Sequence, residues 1–290
     1  MTFRRFIISI LYFPYRFFAI FSTFFRSDPF RLRILLMHDI PSNSHANFKK
    51  KIKHISKKWT FISTKELEEH LEGKRKLYGD KALLTFDDGF YSNKVIAEEV
   101  LNPLGIKALF FVVTNFISLD KESDQVNFIK TNLYPDWRNH DYPENVQEMR
   151  SLSYQDCKEL IQSGHTIGCH TANHLDLSSL DDTVLLEREI VQSATDLEQH
   201  LGVPIDHFSF GFGNVKFFSK KALRVAKNKF KYVYTGMRGD NAKRVLPWAL
   251  RRDTISLDDS NLQISSFLEG SADSRYKVDL KKYESWDEDG

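Results

Sequence analysis

Two short stretches of this chain hold residues whose types and spacing could do chemistry. The apolar run Leu83-Leu84-Thr85-Phe86 ends abruptly in Asp87-Asp88-Gly89, two adjacent carboxylates and a glycine. Side chains alternate faces along a strand, so neighbouring carboxylates at its end are suited to two jobs, one binding a metal and the other moving a proton. Downstream, Thr166-Ile167-Gly168-Cys169 leads into His170-Thr171-Ala172-Asn173-His174, which adds two imidazoles at metal-ligand spacing. One Asp and two His make an open metal site. Alone, an Asp-Asp-Gly triplet is more often a solvated turn, and a spaced His pair is usually exposed. Their conjunction changes the reading. Both close apolar strand-like runs with a helix-like pattern between them, as parallel α/β architectures require, and there the carboxyl ends of strands carry the site.

These residues resemble the metal-dependent polysaccharide deacetylases of carbohydrate esterase family four. Thr85-Phe86-Asp87-Asp88-Gly89 is similar to the family's first motif and His170-Thr171-Ala172-Asn173-His174 to its second, in the same order. The resemblance runs from about Arg33 to Ile255 and takes in Leu152 to His165, similar to the helix and glycine turn before the second motif. It implies a distorted (β/α)7-type barrel. It also implies that Asp88, His170 and His174 hold a divalent ion, that Asp87 acts as general base on water, and that a backbone N–H of the third motif stabilises the oxyanion. Here that motif is Phe208-Ser209-Phe210-Gly211-Phe212-Gly213, which puts the donor near Phe212 and Gly213.

Two departures from the family pattern stand out. Many members carry an arginine that pairs with the catalytic Asp, whereas this chain has Ser209 there, and Gly211 where proline is usual. Arg251 and Arg252, closing the run Leu246-Pro247-Trp248-Ala249-Leu250, are candidates for a replacement guanidinium, Arg252 for tuning Asp87; two solvated basic residues is the equal alternative. The general acid also differs. Expelling an amine needs a proton donor near neutral pH, yet no histidine follows His207. His38 ends the apolar run Arg33-Ile34-Leu35-Leu36-Met37, and a branch of the family carries its acid histidine upstream of the Asp-Asp motif in such a strand. His38 is therefore expected to be the acid.

Composition bounds the rest. With 290 residues and 41% hydrophobic content, the chain can bury one substantial core, and its alternating strand and helix patterns call for a single α/β barrel-like domain over 31–270. A net charge of +2 with interspersed signs gives no reason to expect nucleic acid. The two cysteines, Cys157 and Cys169, are too few for a disulfide framework and are expected to be reduced and structural. Residues 116–150 are polar, charged and aromatic without clear periodicity, an insertion expected as a surface excursion or a sugar-contacting segment. The charged stretch 271–290 is expected to be a flexible tail.

Residues 1–30 form a separate hydrophobic segment. Phe6 to Phe25 is apolar and aromatic, flanked by Arg4, Arg5 and Arg26, but Pro14 and Arg16 sit in its middle. A central arginine costs a spanning helix about 2.5–3.5 kcal/mol, whereas an interfacial helix leaves it among headgroups. A membrane-surface anchor is the expectation; evenly flanking arginines set no orientation.

The expected function is removal of N-acetyl groups from amino sugars of a polysaccharide or lipid-linked glycan, at a bacterial cell envelope. Zinc suits the donor set, and cobalt, nickel, manganese or iron could occupy it. The alternatives are a catalytically silent barrel binding a glycan or partner at the membrane, and a related amidase on a small cyclic amide.

Overall fold

The computed structural model describes residues 30–135, 149–242 and 246–286; the hydrophobic segment expected as an anchor lies outside the described residues. Eight parallel strands form one sheet: β1 Arg31–Met37, β2 Thr60–Phe61, β3 Asp80–Phe86, β4 Ala108–Val112, β5 Thr166–Cys169, β6 His207–Ser209, β7 Tyr232–Tyr234 and β8 Asp253–Thr254. Their order is β7-β6-β5-β4-β3-β1-β8, with β2 pairing β3.

One stretch of chain joins the two edges. Leu250 bridges in parallel to Tyr234 of β7, and three residues later β8 pairs with β1 through Leu35↔Asp253 and Leu36↔Thr254. The sheet thereby closes into the expected distorted (β/α)7-type barrel, seven strands round the ring with β2 outside it.

The period-2 alternation of strands sorts the core into two sets. Leu32, Ile34, Leu83, Leu109, Phe111, Tyr232, Tyr234 and Leu250 pack together inside the ring. Leu35, Met37, Leu84, Phe86, Phe110 and Val112 pack outward against helical residues such as Phe48, Ile52, Val100, Leu160 and Leu197.

Local chemistry fixes where the site strands begin. Helix Tyr154–Gln162 opens with a capping box, Ser153 Oγ accepting from Asp156 N–H while the Asp156 carboxylate accepts from Ser153 N–H. It stops before Gly164, whose left-handed backbone (φ 86°) turns the chain into β5.

Two expectations change. Most of the stretch expected as a tail is ordered: Asp273–Tyr276 and helix Lys277–Ser285 fold back onto the barrel, burying Leu280 and Tyr283, while residues 287–290 lie outside the described residues. The Tyr283 hydroxyl donates to Trp248 O at 2.6 Å, Arg33 forks Asp273 at 2.8 and 3.0 Å, and Arg251 pairs with Glu284 at 2.7 Å. A charged segment is held by two apolar anchors and ion pairs to residues remote in sequence. The first part of the 116–150 insertion is also built in. It forms helix Glu122–Phe128, continuing through a π turn Ile129–Leu133, over an apolar cluster of Phe90, Val113, Phe116, Ile129, Leu133 and Met149. Residues 136–148 lie outside the described residues.

Candidate active site

The carboxyl edge of the ring opens into a cavity of about 490 Å³ lined by His38, Asp87, Asp88, Tyr134, His170, His174, Phe212, Gly213 and Phe217, among others. Every site residue expected from the sequence except Arg252 lines this cavity, and Arg252 lies beneath it.

The strand pattern explains one carboxylate and a backbone twist the other. Asp87 continues the inward-facing set of Leu83 and Thr85, its N–H donating to Met37 O at 2.9 Å. A continued strand would send Asp88 to the opposite face. Instead Asp88 takes a left-handed backbone (φ 75°), and both carboxylates face one cavity. Four non-glycine residues among those described have positive φ: Asp88, Thr171 (68°), His174 (57°) and Phe212 (59°). All four belong to the motifs around this cavity. Such strain costs roughly 1–3 kcal/mol each and persists where the surroundings enforce it.

Arg252 is fully buried and supplies the guanidinium that the third motif lacks. Its fork donates to Asp87 Oδ1 at 2.6 Å and Oδ2 at 2.8 Å, to Ser209 Oγ at 2.5 Å and, through Nε, to Thr235 O at 3.0 Å. The small Ser209 leaves room for an arginine arriving from the residue just before β8. Arg251 turns away to Glu284. Burial pushes the Asp87 carboxyl up, but Arg252, His170 and His38 outweigh it and hold it below the usual carboxylate range. Burial lowers His38, with Arg252 adding to the effect and Asp87 opposing it.

The histidines are locked by their far nitrogens. His170 Nδ1–H donates to Ser209 O at 2.8 Å and His174 Nδ1–H to Asn132 O at 3.1 Å, so each ring turns an unprotonated Nε2 inward. Those Nε2 atoms stand 3.6 and 3.7 Å from Asp88 Oδ1. The loop carrying them is pinned by buried Glu189, which accepts from Asn173 N–H at 2.9 Å and Asn173 Nδ2–H at 2.6 Å. His174 N–H donates to Thr171 Oγ1 at 2.8 Å.

A divalent cation fits this arrangement. Ligand atoms of Asp88, His170 and His174 lie within 4.8 Å of one another, all three residues buried. Asp88 Oδ1 is buried without a hydrogen-bond partner, so three lone-pair atoms face each other with no donor between them. Burial and the neighbouring Asp87 carboxylate push Asp88 well above the usual carboxylate range. Burial and His170 lower His174 to about 3. Three acceptors crowded together and buried are stabilised by a positive charge among them.

Sequence reasoning picked out Tyr134 as one of the aromatics of the insertion, but missed Asn132, Glu189 and Ser209 as a partner of Arg252. Of these three only Ser209 left a signal, as a small residue at the expected arginine position.

A closed parallel α/β barrel with an Asp–His–His cluster and an arginine-clamped carboxylate at its carboxyl edge defines the class of protein. Residues 74–233, more than half of the 290-residue chain, match the family described as polysaccharide deacetylase. The chain belongs to the polysaccharide deacetylase family. YxkH of Bacillus subtilis (strain 168) is 26% identical over 158 residues, 52% of this chain and 46% of that protein; the chain thus spans less than half the length of this curated relative. Among solved structures, IcaB from Ammonifex degensii superposes with a TM-score of 0.64 at 22% identity, covering 84% of this chain and 99% of that one. The BpsB deacetylase domain from Bordetella bronchiseptica gives 0.63 at 20% identity, covering 79% and 97%. The Streptococcus pyogenes deacetylase PplD, solved in complex with acetate, gives 0.62 at 18% identity, covering 83% and 99%. At these identities the likeness is one of fold.

Proposed function

We propose that this protein is a metal-dependent hydrolase that removes N-acetyl groups from amino sugars of a polysaccharide or lipid-linked glycan, working at a membrane surface. The observation that carries this reading is the convergence, in one cavity, of the Asp88–His170–His174 donor set with an Arg252-clamped Asp87. Family membership supports amide hydrolysis on a glycan, and the anchor rests on the aromatic, arginine-flanked segment before Phe30.

Asp88, His170 and His174 would hold the ion, with zinc the best match to one carboxylate and two imidazoles. A divalent ion there supplies Lewis acidity toward an amide oxygen and lowers the pKa of water, within reach of a weakly basic carboxylate. The protein's own groups do the rest. Asp87, kept ionised by Arg252, takes the proton of the attacking water, and the guanidinium keeps its carboxylate in one orientation. The backbone N–H of Phe212 donates to the oxyanion. His38, from the end of β1, gives a proton to the departing nitrogen; burial lowers its pKa, which makes it a readier proton donor, while Asp87 opposes that shift. Phe212, Phe217 and Tyr134 give the cavity apolar walls against a sugar face and acetyl methyl.

Two variants test the division of roles. Asp87→Asn and His38→Ala should each keep a full complement of metal while losing roughly 10²–10⁴-fold in acetate release from N-acetylglucosamine oligomers. Metal loss in either variant would mean a ligand has been mistaken for a catalyst, and full turnover in His38→Ala would move the acid elsewhere.

A further inference from the structure

The built-in part of the insertion ends against a metal ligand. A helix leaves its last carbonyls without intrahelical partners and carries the negative end of its dipole there. In the helix that begins at Glu122, the final turn widens to a π turn over Ile129–Leu133, closed by Tyr134 N–H donating to Ile129 O at 2.8 Å. π turns recur at functional positions. The freed Asn132 O receives His174 Nδ1–H at 3.1 Å, which leaves the ring's other nitrogen unprotonated and turned inward. The Asn132 side chain grips the same loop, its Nδ2–H donating to Asn173 O at 2.9 Å. The helix is itself anchored by buried Gln125, whose Nε2–H donates to Leu119 O at 2.6 Å while its Oε1 accepts from Ser151 N–H at 3.2 Å. Both flanks of the insertion are thereby tied to one side chain.

The geometry points to Asn132 as a positioning residue of the metal centre, and to the helical segment 122–133 as the arm that sets metal affinity. The Asn132 carbonyl fixes the tautomer and aim of the inward His174 Nε2, and the Asn132 side chain, by gripping Asn173 O, holds that carbonyl against the ring. This rests on the metal-centre reading given under Proposed function.

Zinc affinity of the full chain, stripped by chelator and titrated in competition with it, tests the arm, and the visible spectrum of the Co²⁺-loaded protein reports ligand geometry. Asn132→Ala and the isosteric Asn132→Asp, which lacks the donor, should each bind zinc about 10–100-fold more weakly and shift the cobalt spectrum. Asn127→Ala, on the exposed side of the same helix, should change neither. In a His174→Ala background Asn132→Ala should cost no further affinity, because its effect runs through the missing ring. General loosening of the fold would instead weaken the remaining Asp88–His170 pair as well. Wild-type affinity and spectrum in both Asn132 variants, or an additive loss in the His174→Ala background, would overturn the arm and leave the metal centre standing. Wild-type protein that takes up neither zinc nor cobalt would overturn both.

Discussion

At the residue scale, electrostatics separate two carboxylates that are neighbours in the chain. Asp87 is held ionised by a buried fork from Arg252, while Asp88 faces two unprotonated imidazole nitrogens with no donor of its own. Breaking one partner of a buried ion pair strands the other, so Arg252→Met should lower unfolding stability by about 3–5 kcal/mol. Denaturant titration checks this, and a change below about 1 kcal/mol would mean that Asp87 is not held by charge pairing. A second prediction concerns His165, which is remote from the metal ligands. Ala108 N–H donates to its Nδ1 at 3.0 Å, which requires an unprotonated nitrogen, and burial with Lys107 nearby lowers it to about 4. The unfolded imidazole titrates near 6.5, so between about pH 6.5 and 4 the unfolded chain binds more protons. Stability is therefore full above that window and falls through it as pH drops, by on the order of 3 kcal/mol. His165→Gln should flatten the fall, measured by denaturation at pH 7 and 4.5; an unchanged slope would rule the imidazole out as its source. Asp87, Asp88, His170 and His174 were legible because each motif is contiguous. Arg252 was legible only as one of two adjacent arginines, since its partner lies 165 residues away and spacing says nothing of contact.

At the scale of elements, the site depends on backbone approaches that few side chains permit. Gly213 is left-handed (φ 63°), and a Cβ there would meet the Gly236 backbone at 2.8 Å, while Gly236 N–H donates to Gly213 O at 2.7 Å. Gly213→Ala should therefore displace the Phe212 loop, costing roughly 1–3 kcal/mol and most turnover while the three proposed ligands keep their metal. Wild-type stability and turnover would show that the loop tolerates the shift. The strands were readable from their apolar runs, and the helix into β5 from its Ser153 cap. The last helix was not. It buries only Leu280 and Tyr283 along Lys277–Ser285, too narrow a stripe to stand out among its charges. Tyr283→Ala should cost about 3–5 kcal/mol, as for other buried aromatics, and a near-neutral change would mean the segment is dispensable.

At the scale of the whole molecule, the ring closes without residues 1–28: β1 starts at Arg31, and residues near Leu250 and Asp253 link β7 to β1. No helix among the described residues is long and apolar enough to cross a membrane. Deleting residues 1–28 should give a folded domain that still binds metal and cleaves a short saccharide but works poorly on a membrane-bound one. Membrane pelleting of the truncated protein would refute the anchor. The central claim, that Asp88, His170 and His174 form a metal centre driving deacetylation, is tested most directly by acetate release from N-acetylglucosamine oligomers. Release is measured before chelation, after chelation and after return of zinc, in wild type and in His174→Ala. The account expects activity that vanishes with chelation and returns with zinc in the wild type, and none at any stage in the variant. Acetate release that survives complete metal removal, or that is unchanged in His174→Ala, would contradict it.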